Sequence, residues 1–216
     1  MPIVFTALMK KRLTRRAQEM IDHTIAFFPE LDGRTITVGY TRKHLGSATV
    51  MYRNQTVLRL IIRLKVRKLS YQTIGHELTH LVQGLTRGDR RSRSPRDASH
   101  IPAGEKQCDI WTLARHEIFC DDAPTYIKMP PIIREQWNDH AEAVRALCVA
   151  AIEKRNSFRL YIRWLEDEIR KLRRVPSPPV DKTIESAPST TGFIQVAPRH
   201  GAKSRAKQGQ LLLPFE

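Results

Sequence analysis

Residues 73–83, Thr-Ile-Gly-His-Glu-Leu-Thr-His-Leu-Val-Gln, carry an H-E-x-x-H array inside a stretch that reads as helix. Residues four apart on a helix share one face, so His76 and His80 can offer two imidazole nitrogens to one zinc ion, with Glu77 beside them and not a ligand. An ion held this way makes a water molecule acidic near neutral pH, and an adjacent carboxylate can take the proton as that water attacks a carbonyl. Glu77 is the candidate base. Ile74, Leu78, Leu81, Val82 and Leu85 give the segment an apolar face, so it reads as a buried helix and not a solvated run. Two core histidines hydrogen-bonded to backbone are the bland alternative.

A tetrahedral catalytic site needs a third protein ligand and one open position. Glu105 is the best candidate. It opens the stretch 102–115, where apolar residues at 110, 113, 114 and 118 recur at helical spacing. Asp109 lies one turn further on the same face, where it can accept the spare N–H of a ligand histidine and fix its tautomer. His100, in the loop before Ile101-Pro102, is the rival third ligand. Cys108 is also capable of binding zinc, but the expectation is that it points away from Glu105 and packs.

H-E-x-x-H followed by E-x-x-x-D on a second helix resembles the gluzincin metalloproteases. By that resemblance His76, His80 and Glu105 bind zinc, Glu77 acts as general base and acid, and Asp109 steadies a ligand histidine. SprT-like proteases, similar in H-E-x-x-H and in basic character, complete their site with a downstream histidine, which would make His100 the third ligand. The resemblance spans residues 13–120 and implies an α+β, zincin-like single domain. Its parts would be a small mixed or antiparallel sheet, an N-terminal backing helix, the H-E-x-x-H helix, a second ligand helix and further C-terminal helices.

The elements that must position these groups are partly legible. Residues 13–28 read as an amphipathic helix with Leu13, Ala17, Met20, Ile21, Thr24 and Phe28 on one side, ended by Pro29 and the Asp32-Gly33 turn. Residues 34–40, 48–53 and 56–65 are rich in Val, Ile, Thr and Tyr and read as strands, the last two joined as a hairpin at Asn54-Gln55. An edge strand near the zinc helix would hold an extended peptide by main-chain hydrogen bonds, but which strand is the edge is not readable. Tyr126, in the proline-containing loop 121–131, is a candidate to stabilise the oxyanion, with ring packing as the alternative. Residues 136–174 carry apolar positions at 144, 148, 151, 158, 162, 165, 169 and 172, suited to a helical hairpin or a dimerisation seam.

The organisation expected is a metallopeptidase domain over 1–135, a helical extension over 136–174, a linker over 175–209 marked by five prolines, and a tail at 210–216. The tail, Gln210-Leu211-Leu212-Leu213-Pro214-Phe215, resembles the bacterial sliding-clamp binding motif, in which Gln210 would enter a polar subsite and Leu211, Leu213 and Phe215 an apolar pocket. The alternatives are a tail folded back on its own domain and an incidental apolar end.

A net charge of +15 and a pI near 10.2 point to an acidic partner, DNA first, against the alternative of a well-solvated basic surface. Arg87, Arg90, Arg91, Arg93 and Arg96 crowd into the segment between the two zinc motifs. Three cysteines, an odd number without C-x-x-C spacing, argue against a disulfide scaffold and for a reducing compartment. No segment approaches 18 apolar residues, so a cytoplasmic protein with no membrane partner is expected. The sequence thus points to a zinc endopeptidase acting on protein or peptide substrates, in one version on proteins associated with DNA. A regulatory protease with one repressor-like target shares the same site, and a non-catalytic, DNA-associated zinc adaptor is the alternative outside enzymes.

Overall fold

Alternation along residues 60–64 sets the layering: Leu60, Ile62 and Leu64 are buried while Arg63 is exposed, so one face of a strand meets a core and the other meets solvent. The computed structural model describes residues 2–54, 56–87 and 100–172. In chain order these form β1 (Ile3–Phe5), α1 (Ala7–Lys10), α2 (Arg15–Ile25), β2 (Ile36–Tyr40), β3 (Gly46–Arg53), β4 (Thr56–Leu64), α3 (Tyr71–Arg87), α4 (Glu105–Arg115), α5 (Pro131–Glu135), α6 (Trp137–Lys154) and α7 (Tyr161–Leu172). The fold is α+β, with a mixed four-stranded sheet. Arg90, Arg91, Arg93, Arg96, the 175–209 linker, and Gln210, Leu211, Leu213 and Phe215 of the tail lie outside the described residues. No helix among the described residues is long and apolar enough to cross a membrane.

The sheet runs β1-β2-β4-β3; β1 pairs parallel with β2, β2 parallel with β4, and β3 antiparallel with β4. The hairpin expected at Asn54-Gln55 joins β3 to β4, with Arg53 paired to Thr56 and Asn54 at φ 50°, a left-handed conformation that asparagine tolerates better than most residues. Among the described residues β1 and β3 each have a neighbour on one side only, and β3 is the edge strand that packs on α3. A register shift between Met51 and Tyr52 bends its far end.

β1 adds to the elements expected from the sequence, the first of which begins at residue 13. Three residues are too few to show an alternating pattern, and β1 is held by its ladder to β2. The first long helix is also shorter than expected, Arg15–Ile25, because Thr14 caps it by accepting the N–H of Ala17 at 3.1 Å and Pro29 opens a separate 3-10 turn.

Two apolar clusters organise the molecule. In the first, Ile36, Val38, Leu60, Ile62 and Leu64 from the sheet meet Met20 and Ile21 of α2 and Ile74, Leu78, Leu81 and Val82 of α3. In the second, Ile110 and Leu113 of α4 meet Ile133, Trp137, Val144 and Cys148 and then Tyr161, Leu165 and Ile169 of α7. Each such aliphatic side chain contributes about 1.5–3 kcal/mol by leaving water. α6 and α7 form the helical hairpin that the four-three spacing suggested, packed on α4.

Candidate metal centre

α3 begins where its free N–H groups find acceptors. Ser70 Oγ accepts from Thr73 N at 3.1 Å, and the Asp121 carboxylate accepts from Tyr71 N at 2.7 Å and Gln72 N at 2.9 Å. A carboxylate at a helix N-terminus also meets the positive end of the helix dipole. Burial nonetheless raises the Asp121 pKa, and the two backbone hydrogen bonds only partly offset this. The helix then runs into the interior between the sheet and α4. Gly75 makes that approach possible: a Cβ there would lie 2.7 Å from Phe119 Cε1 and from Thr112 Cγ2. One turn later Thr79 Oγ1 meets Thr112 Oγ1 at 2.8 Å, closing the α3–α4 contact.

This packing turns the two histidines towards the first turn of α4. The Nε2 atoms of His76 and His80 each lie 3.0 Å from the same atom, Glu105 Oε2. Gly104, at φ 122°, swings the chain so that Glu105 is the first residue of α4. Burial alone would raise the Glu105 pKa, but its hydrogen bonds to His76 and His80 outweigh that and hold it below the ordinary carboxylate value.

Asp109, fully buried, holds the far side of His76. Its Oδ1 accepts from His76 Nδ1 at 2.7 Å and from Gln72 Nε2 at 3.1 Å, and its Oδ2 accepts the backbone N–H of Tyr126 at 2.6 Å and of Ile127 at 3.2 Å. All four lone-pair positions of the carboxylate are occupied, and one of the four donors, His76, is also its ion-pair partner when protonated. Burial opposes protonation of His76, yet the Asp109 hydrogen bond and charge, with Glu77 and Glu105 behind them, keep its pKa above the usual value.

Glu77 is 6% exposed and its Oε2 has no hydrogen-bond partner among the described residues. Burial lifts its pKa from 4.5 to about 7, against the opposing charge of His76. Gly46, the first residue of β3, lies against it: a Cβ there would come within 2.4 Å of Glu77 Oε1. The carboxylate therefore occupies space that any other residue at 46 would take. It opens on a cleft of about 460 Å³ lined by Gly46, Ser47, Ala48, His80, Glu105 and Tyr126.

Tyr126 stacks on His76, ring centroids 5.4 Å apart and planes 23° from parallel, and is 44% exposed. Burial and the surrounding carboxylates of Glu105, Asp109 and Glu77 raise its pKa, so the phenol keeps its proton. The Tyr126 ring thus packs over a histidine and not the core, and the residue lines the cleft.

The expectation that Cys108 turns away from the site is overturned. Its Sγ lies 3.2 Å from His80 Nδ1, and the buried His76 and Cys108 with the half-buried His80 form a group, with ligand atoms within 4.8 Å of one another, able to hold a metal ion. The reason is helical geometry: Cys108 is three residues after Glu105, and positions three apart share a face. His100 is not in that group; its carbonyl accepts from Arg155 Nη1 at 2.6 Å.

Two polar residues escaped the sequence reading. Gln72 lies one turn before His76 and braces Asp109, and Gln83 lies three residues after His80 with its Oε1 3.0 Å from His80 Nδ1. Their spacing from the histidines was the available signal. No protein family, no curated protein and no solved structure matches the chain.

Proposed function

We propose that this chain is a zinc-dependent endopeptidase with a zincin-like fold. The observation that carries the reading is the convergence of His76 Nε2 and His80 Nε2 on one oxygen of Glu105, beside a buried Glu77 oxygen with no hydrogen-bond partner among the described residues, on an open cleft. Two imidazoles and a carboxylate are a donor set that suits zinc. Zinc, when bound, supplies the charge that makes a water molecule acidic near neutral pH. The remaining work falls to the chain's own residues.

Glu77, poised near neutrality, takes the proton of the attacking water and delivers it to the leaving amine. Tyr126, kept protonated, donates to the oxygen that becomes negative as the carbonyl is attacked. β3 provides the substrate platform: its unpaired edge lies along the cleft, and Gly46, Ser47 and Ala48 leave room for a main chain to lie antiparallel to it. Peptide recognition through the backbone suits substrates defined by accessibility more than by sequence. The excess of positive charge supports action on proteins associated with DNA.

The test is digestion of a protein crosslinked to DNA by the zinc-loaded full chain, beside Glu77→Gln and a DNA-free substrate. Wild type should cleave, faster with DNA, and Glu77→Gln should retain zinc and fail to cleave. Equal rates with and without DNA overturn the DNA half; bound zinc without cleavage of either substrate overturns a general endopeptidase.

Cys108 favours a second reading, a closed centre of His76, His80, Glu105 and Cys108 in a non-catalytic adaptor. Cobalt substitution separates the two, because only a thiolate ligand gives an intense sulfur-to-metal charge-transfer band that Cys108→Ser removes.

A further inference from the structure

His76 has Asp109 behind it, and His80 is also held from behind, by a neutral group. Gln83 is 9% exposed and its side-chain amide bridges two elements. Nε2 donates to Pro102 O at 2.6 Å and approaches Gly104 O at 3.4 Å, while Oε1 lies 3.0 Å from His80 Nδ1.

The chemistry of these partners orients the amide. Carbonyl oxygens only accept, so the NH₂ end of Gln83 must face Pro102 and Gly104, and its oxygen is left facing the imidazole. An amide oxygen also only accepts. Nδ1 of His80 must therefore carry a proton, which leaves the Nε2 lone pair free on the side where Glu105 Oε2 lies. Cys108 Sγ also lies 3.2 Å from the same Nδ1.

We propose that Gln83 is a positioning residue for the metal centre, fixing the tautomer and ring direction of His80 as Asp109 fixes those of His76. The inference rests on the metal reading above. Its two supports differ in kind: a buried carboxylate makes His76 the more basic ligand, whereas the amide orients His80 without adding charge. The turn at 102–104, which leads into Glu105, is what locks the amide the right way round.

The experiment measures zinc affinity of the full chain by competition with a chromophoric chelator, for wild type, Gln83→Met and Gln83→Glu, with thermal unfolding of each metal-free form alongside. Gln83→Met keeps the length, loses both the acceptor for His80 and the donor to Pro102 O, and should bind zinc about 10–100-fold more weakly. Gln83→Glu keeps an acceptor for His80 but sets a carboxylate against two carbonyls, so it should unfold at a lower temperature while binding zinc within about threefold of wild type. Both variants lose the bond to Pro102 O and should unfold earlier, so a positioning role predicts that zinc affinity separates them, falling in Gln83→Met alone.

Gln83→Met binding as tightly as wild type, or Gln83→Glu weakening as far as Gln83→Met, overturns the inference and leaves Gln83 as packing. A wild-type chain that takes up no zinc overturns the metal reading, and this inference with it.

Discussion

Asp109 stands behind His76 at 2.7 Å, on the helix that also carries Glu105, so one turn of α4 both faces and backs the same imidazole. Asp109→Asn keeps the size and presents an NH₂ group to at least one of four donors. Zinc affinity should fall about 10–100-fold, measured by chelator competition. Asp109→Ala leaves those donors buried and unmet, and should cost about 3–5 kcal/mol in denaturant unfolding, close to the whole stability of a marginal domain.

Glu77 makes the metal-free protein pH-sensitive. Its folded pKa of about 7 stands above the ordinary 4.5, so its contribution to stability is fully present below 4.5 and is lost as pH rises through 7. Above that the buried charge costs up to about 3 kcal/mol. Glu77→Gln should therefore be the more stable protein at pH 8, with the difference vanishing near pH 4, in urea titrations with chelator present.

Gly46 and Gly75 should respond differently to alanine. At 46 the new methyl meets the buried Glu77 side chain from its Cγ to its carboxylate, so the base has to move, and hydrolysis should drop about 100-fold. At 75 it meets Phe119 and Thr112 in the helix interface, and unfolding should record a loss of about 1–3 kcal/mol.

Asp121→Ala removes the acceptor for two N–H groups at the start of α3. The loss should be about 1–2 kcal/mol by thermal unfolding, with Ser70 still capping Thr73.

What the sequence revealed was whatever follows from spacing along one helix. The pairing of His76 with His80, and of Glu105 with Asp109, needs only the 3.6-residue period. Contacts between elements were hidden: nothing in residues 46–48 says that β3 would be the edge strand, or that its first glycine would lie against Glu77. Asp121 caps a helix that begins fifty positions earlier in the chain, a relation no local pattern encodes. Cys108 was misjudged although its spacing from Glu105 gave the answer, because the next ring over, His80, belongs to another helix.

α4 lies between the two apolar clusters, and Lys106, next to Glu105, is paired with the buried Glu166 of α7. A chain cut at 135 would hold every residue of the centre and still not keep it in shape. Cutting there would bare Ile110, Leu113, Ile127 and Ile133 and leave Lys106 without its carboxylate. A fragment that keeps the centre in shape has to run through α7, and loss of the α6–α7 hairpin would disturb the centre without touching any of its residues.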